Sequence, residues 1–214
     1  LSHDYLFPRF ALLDPCLTLS LPPRQTAISG MDALSHAIEG YWSNRATPAT
    51  DALALSAARL LLEQLLKAQN IPEDLTARQL TMEGSMLAGL TISNARTTAV
   101  HAVSYPMTVF HGVPHGLACS LILPSMIRFN SGAMAPEKES RLLKTVGVKS
   151  MGEMAETVER LQSQLELPER LADVEIGTGD IAKIVEHGYR PDRMANNPKV
   201  ISAAQLTSML REII

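Results

Sequence analysis

Aromatic residues are scarce in this 214-residue chain: one Trp, four Tyr and four Phe. Its core must therefore be built from Leu, Ala, Ile, Val and Met, as in many all-helical proteins. Cysteine is scarcer still, with only Cys16 and Cys119. Two are too few for a disulfide scaffold and point to a reducing, cytoplasmic compartment. The chain also lacks a large charge of either sign. Its formal net charge is −3, so no global field favours nucleic acid or an acidic membrane surface. No apolar run approaches the roughly 18 residues that a bilayer span requires. The opening LSHDYLFPRF has no basic stretch followed by an apolar one, so it does not read as a signal peptide, and no Met begins it, as expected of a fragment or a processed chain. A phosphate-cradling glycine motif is missing too; GTG at 177–179 is an isolated turn.

What remains is helical patterning. FALLDPCLTLSLPP (10–23) reads as one short apolar strand ending at Asp14-Pro15, then a turn and a Pro-Pro stop. Helices are expected over 26–43, with Thr26 or Ser29 as cap, and over 47–69, with Thr47 as N-cap and Pro48 at the first position. Further helices are expected over 75–95, 97–112 (interrupted near Pro106), 114–130, 135–148, 151–167, 177–190 (capped by Thr178) and 202–214. In the third, Gly84, Ser85, Ala88 and Gly89 would permit close helix contact. Residues 114–130 are apolar nearly all round and should be central. No repeat or linker divides the chain. The fold class is all-α, one helical domain over 1–214 with a short N-terminal strand. A lone strand cannot satisfy its own ladder bonds. It should pair with something outside this chain or with another copy of it, and a homodimer is the expected assembly.

MDALSHAIEGYW (31–42) and VHAVSYPMTVFHGVPHG (100–116) carry the chemistry. Asp32 and His36 stand at i and i+4 and project from one helix face, so both can reach one ion. His101 lies mid-helix. His115 follows Pro114 at the first turn of the next helix, where a tight connection would fold it back towards His101. Three imidazoles and a carboxylate suit Fe(II) or Zn(II) rather than Ca(II) or Mg(II). Each residue also has a plainer reading. Asp-x-x-x-His is commonly a salt-bridged or capped pair, a mid-helix His is commonly a hydrogen-bonded core residue, and PHG can be simple punctuation.

The sequence resembles the iron-containing (group III) alcohol dehydrogenases. The resemblance runs from DPCLTLSLPPRQTAISGMDALSHAIEGYWS through ATPATDALALSAARLL, LAGLTISNA and HAVSYPMTVFHGVPHGLACSLILPSMIRFN to ANNPKVIS. It implies a bundle of the dehydroquinate synthase-like C-terminal type, with Asp32, His36, His101 and His115 as ligands of the catalytic metal. It also implies that NAD or NADP is bound mainly by an N-terminal α/β domain absent from this chain, and that this stretch alone folds and holds metal without catalysing. The expected substrate is a small aldehyde or alcohol. The alternative is a non-catalytic helical interaction module that keeps the fold, with metal structural or absent.

Two departures bear on substrate and catalysis. Many members carry a histidine four residues after the first ligand of the late segment, often assigned to proton relay; here that position is Tyr105. A phenol donates a hydrogen bond to an alkoxide but is a poorer base near neutral pH. His111 is a second candidate for the relay. The other departure is NARTTAVHA (94–102), where Arg96, Thr97 and Thr98 add a fixed charge and two hydroxyls one turn before His101. Arginine pairs bidentately with phosphate-like oxygens. Together with HAxSYP this resembles the branch that reduces phosphonoacetaldehyde to 2-hydroxyethylphosphonate, and it makes these three residues candidate contacts for an anionic substrate.

Overall fold

The computed structural model describes residues 7–214, and every element among them is helical. Helix α1 (Pro23–Trp42) is the spine of the domain. It packs against α2 (Pro48–Asn70), α3 (Leu75–Ala95) and α5 (His115–Phe129). Its Met31, Leu34, Ile38, Tyr41 and Trp42 are fully buried. Helix α5 is central as well, with Leu117, Ile122, Leu123, Met126 and Ile127 buried. Helix α4 (Ala99–His111) lies against α5 and α8 (Ile181–Gly188). Helices α6 (Pro136–Val146) and α7 (Met151–Gln164) flank the bundle, and α9 (Pro191–Met194) and α10 (Ala203–Glu212) complete it.

Local sequence accounts for most of the boundaries. Thr47 caps α2 as expected: its hydroxyl accepts from Thr50 N at 3.2 Å, and the Thr50 hydroxyl accepts from Thr47 N at 2.7 Å. Helix α1 begins earlier than expected, at Pro23, whose fixed φ suits a first helical position. Thr26 and Ser29 are therefore inside the helix and cap nothing. Thr26 Oγ1 accepts from the Arg78 guanidinium at 2.6 Å, and Ser29 donates back to the Gln25 carbonyl at 2.8 Å. Helix α8 starts at Ile181, not at 177. Asp180, not Thr178, precedes its first residue, and the Asp180 carboxylate accepts from Gly177 N at 2.9 Å in the preceding turn rather than capping the helix. Helix α4 passes through Pro106 as one helix and ends at Gly112, whose φ of 68° is the left-handed conformation glycine adopts most readily.

The expected strand at 10–13 is not formed. These residues are irregular, and Phe10 and Leu12 are almost fully exposed. A strand needs a neighbour for its ladder bonds, and the described residues provide none.

Candidate metal centre

Helices α1, α4 and α5 bring the expected residues to one place. Asp32, His36 and Glu39 lie at i, i+4 and i+7 on α1 and so share a face. Helix α4 contributes His101 and Tyr105. Only residues 112–114 separate α4 from α5, which turns His115 back onto the same spot. Gly116 makes the close approach possible, because a Cβ there would collide with the Ile28 carbonyl and Asp32 Cβ on α1. The first turn of α5 thus rests directly on the α1 backbone, beside Asp32.

His101 Nε2 lies 3.4 Å from Asp32 Oδ1, and His115 Nε2 lies 3.8 Å from the same oxygen. The His36 and His101 rings stack with centroids 4.3 Å apart, and His115 meets His101 edge-on at 5.2 Å. Asp32 Oδ1 and His101 Nε2 are both buried without a hydrogen-bond partner. Two unsatisfied buried polar atoms facing one another are expensive unless something sits between them. A divalent cation fits that position: the donors are oxygen and imidazole nitrogen, the set preferred by Fe(II) and Zn(II). Cys119 joins the cluster unexpectedly. One ligand atom each from Asp32, His101, His115 and Cys119 lies within 4.8 Å of the others, while His36 flanks this group through its ring stack.

The electrostatics are those of a crowded, partly dry site. For His36, burial and then the nearby His101 charge lower the pKa to about 4, so the ring is neutral near pH 7. Burial also lowers His115. For His101, burial works downwards, but the Glu39 carboxylate, Cys119 and Asp32 together outweigh it and hold the ring well above its ordinary value. For Asp32, burial works upwards, yet the close approach of His101 and the other surrounding imidazoles leave the carboxyl below its usual range. Burial raises the Cys119 thiol.

Glu39 is one of the residues that sequence reasoning missed, with Cys119 and Arg193. It is fully buried, and one carboxylate oxygen pairs closely with His101 Nδ1. The other accepts from Thr98 N at 2.9 Å, the Thr98 hydroxyl at 2.6 Å and Val100 N at 3.0 Å. A carboxylate on the far nitrogen of a ligating imidazole fixes ring and tautomer and makes Nε2 a better donor. The signal was present, since Glu39 continues the Asp32–His36 face by one turn.

The other candidates divide. An open cavity of about 620 Å³ leads from the histidines to solvent, lined in part by Arg96, Thr97, Tyr105 and Arg193. Tyr105 stacks on the His115 ring at 5.2 Å. Thr98 is not a substrate contact. It is fully buried, donating to Glu39 and accepting from Trp42 Nε1 at 2.9 Å. His111 is not among the residues that line the cavity. Ten residues along α4 carry it roughly 15 Å beyond His101, too far for a proton relay at the cluster.

Similar proteins carry the same architecture. The pattern of the Fe-containing alcohol dehydrogenase family, C-terminal, matches residues 26–214. A 1,3-propanediol dehydrogenase of Citrobacter freundii is 32% identical over 96% of this chain and 55% of its own length. A sulfoacetaldehyde reductase of Bilophila wadsworthia is 31% identical over 97% of this chain and 56% of its own. The crystal structure of a sulfoacetaldehyde reductase from Bifidobacterium kashiwanohense in complex with NAD+ superposes with a TM-score of 0.93 at 36% identity, covering 98% of this chain and 55% of that one. The chain spans about half the length of these relatives. With its pattern matched over most of its residues, the chain belongs to the Fe-containing alcohol dehydrogenase family, as a C-terminal helical part of it.

Proposed function

We propose that this chain is the metal-holding domain of an NAD(P)-linked enzyme that interconverts a small aldehyde and its alcohol. Asp32, His36, His101 and His115 hold a divalent ion, Fe(II) or Zn(II). The observation that carries this reading is the orphaned pair of Asp32 Oδ1 and His101 Nε2, 3.4 Å apart, buried and flanked by two further imidazoles. When bound, the metal supplies Lewis-acid polarisation of a carbonyl oxygen, and the nicotinamide supplies hydride.

The residues of this chain do the rest. Glu39 keeps a proton on His101 Nδ1, so that Nε2 remains a donor to the ion. Tyr105, 42% exposed and stacked on His115, presents its hydroxyl to the cavity as a hydrogen-bond donor for the substrate. Arg96 and Thr97 line the same cavity and face the part of the substrate away from the histidines. A short aldehyde with an anionic end suits this arrangement. Two relatives are sulfoacetaldehyde reductases, and a phosphonate such as phosphonoacetaldehyde also carries a tetrahedral anion at the end away from the aldehyde. Nicotinamide dinucleotide is bound mainly by residues outside this chain, which spans about half of its relatives and has no glycine-rich phosphate loop.

Elemental analysis after anaerobic reconstitution tests the proposal. The expected result is about one Fe(II) or Zn(II) per chain, with His101→Ala losing nearly all of it. Full occupancy in His101→Ala, with circular dichroism unchanged, overturns the assignment.

A further inference from the structure

The cavity above the histidines collects three guanidinium groups, Arg45, Arg96 and Arg193, from three separate parts of the chain. Arg45 and Arg96 are exposed, whereas Arg193 is half-buried and held. Its Nη1 donates to the Thr97 hydroxyl at 3.0 Å and to the Tyr105 hydroxyl at 3.4 Å, and its guanidinium carbon lies 4.7 Å over the Tyr105 ring. Tyr105 stacks in turn on His115. Arg193, Tyr105 and His115 therefore form a three-layer stack that runs from the cavity mouth to the metal cluster.

The backbone beneath Arg193 is pinned. Asn196 Nδ2 donates to the carbonyls of Ala95 and Thr97 at 3.1 and 3.0 Å, and its Oδ1 accepts from Ser43 at 3.0 Å. Asn197 and Asn130 exchange side-chain hydrogen bonds at 2.8 and 3.1 Å. These bonds tie α9 to the α1 terminus, the α3–α4 link and α5, so that Arg193 sits in one place rather than sweeping the surface. Both hydrogen bonds of the guanidinium use Nη1 and go to neutral hydroxyls. Among the described residues no carboxylate pairs with it, although Asp192 and Asp32 line the same cavity. A half-buried guanidinium without a counter-ion, with its Nε and Nη2 face open and two like charges beside it, favours an anion.

We propose that Arg193 is the specificity-determining residue of this site, and that it pairs with the sulfonate, phosphonate or carboxylate end of a short substrate whose reacting oxygen lies at the histidine cluster. The inference rests on the metal-site reading above and deepens it by naming the anion reader. Thr97 and Tyr105 hold Arg193 from one edge and leave the other edge of the fork for the anion. The stacking distances of 5.2 and 4.7 Å between successive layers set the spacing to that of a short chain.

The test uses 2-hydroxyethanesulfonate as anionic probe and 1-propanol as its neutral counterpart, titrated into the Co(II)-loaded chain. Calorimetry gives the affinity, and relaxation of the ligand protons by Co(II) gives proximity to the metal. The expected result is clear preference for the sulfonate. Arg193→Ala should weaken sulfonate binding about 10- to 100-fold, to the level of the alcohol, with Co(II) uptake unchanged. Arg193→Lys, which keeps the charge without the fork, should fall between. Equal sulfonate binding in wild type and Arg193→Ala overturns the proposal. So does a loss confined to Arg96→Ala. Failure of the chain to take up Co(II) counts against the metal reading instead, and calorimetry on the metal-free chain then still decides whether Arg193 binds the sulfonate.

Discussion

Glu39 shows how much of the site depends on one residue that touches neither substrate nor solvent. Its carboxylate accepts from the backbone and hydroxyl of Thr98, from Val100 N and from the His101 ring. Glu39→Gln retains the shape but removes the charge and turns an amide N–H towards donors that need an acceptor. The expected result is a fall of about 10- to 100-fold in Co(II) affinity, read by competition with a chelator, in a chain that remains helical. Glu39→Ala should in addition destabilise the fold by about 1–3 kcal/mol, because the buried donors of Thr98, Val100 and His101 lose their acceptor. Unchanged metal affinity in Glu39→Gln would remove it from any positioning role. At this scale the sequence was legible where spacing is local. Asp32 and His36 sit one turn apart, and the short link through Pro114 brings His115 back. Glu39 meets Thr98 across 59 positions and Arg193 meets Thr97 across 96. No periodicity spans such a gap.

Helix packing decides whether these side chains meet at all, and two glycines mark the contrast. Gly116 stands where α5 crosses α1, and the atom a Cβ would strike is a backbone carbonyl, which cannot rotate away. Gly89 stands on the exposed side of α3 with nothing within 4 Å. The small-residue stretch of α3 was expected to allow close packing throughout. Gly84 does so, its Cβ position lying 3.0 Å from Leu61 Cγ, and Ala88 is buried, but Ser85 and Gly89 face outward. The two substitutions should therefore have opposite signs. Gly116→Ala should destabilise by about 1–3 kcal/mol and weaken metal binding by moving His115 from Asp32. Gly89→Ala should stabilise by about 0.5–1 kcal/mol, the ordinary gain of alanine over glycine in an open helix. Urea denaturation of both variants checks the pair. A stable Gly116→Ala chain with full metal affinity would mean that the α1–α5 contact does not set the ligand spacing.

At the scale of the whole molecule, helical periodicity made the all-α class readable from sequence. The N-terminal segment was not, because strand formation depends on a partner and the described residues hold none. No helix among them is long and apolar enough to cross a membrane. The four proposed metal ligands lie at positions 32, 36, 101 and 115, so unfolding disperses them along the chain. An ion held by all four binds the native state and has little affinity for the unfolded chain. Such a ligand stabilises in proportion to the logarithm of its excess over Kd, by about 4 kcal/mol at a thousandfold excess. For a chain of this length that corresponds to a rise in Tm of about 10 °C. Anaerobic calorimetry across a series of Fe(II) or Zn(II) concentrations should therefore give a Tm that climbs with free metal and falls back on chelation. Asp32→Ala should melt at one temperature regardless of metal. Should the wild-type Tm prove equally indifferent, with binding verified by elemental analysis, the ion would be gripped by groups that do not require the α1–α4–α5 junction, and the cluster would lose its standing as the joint between them.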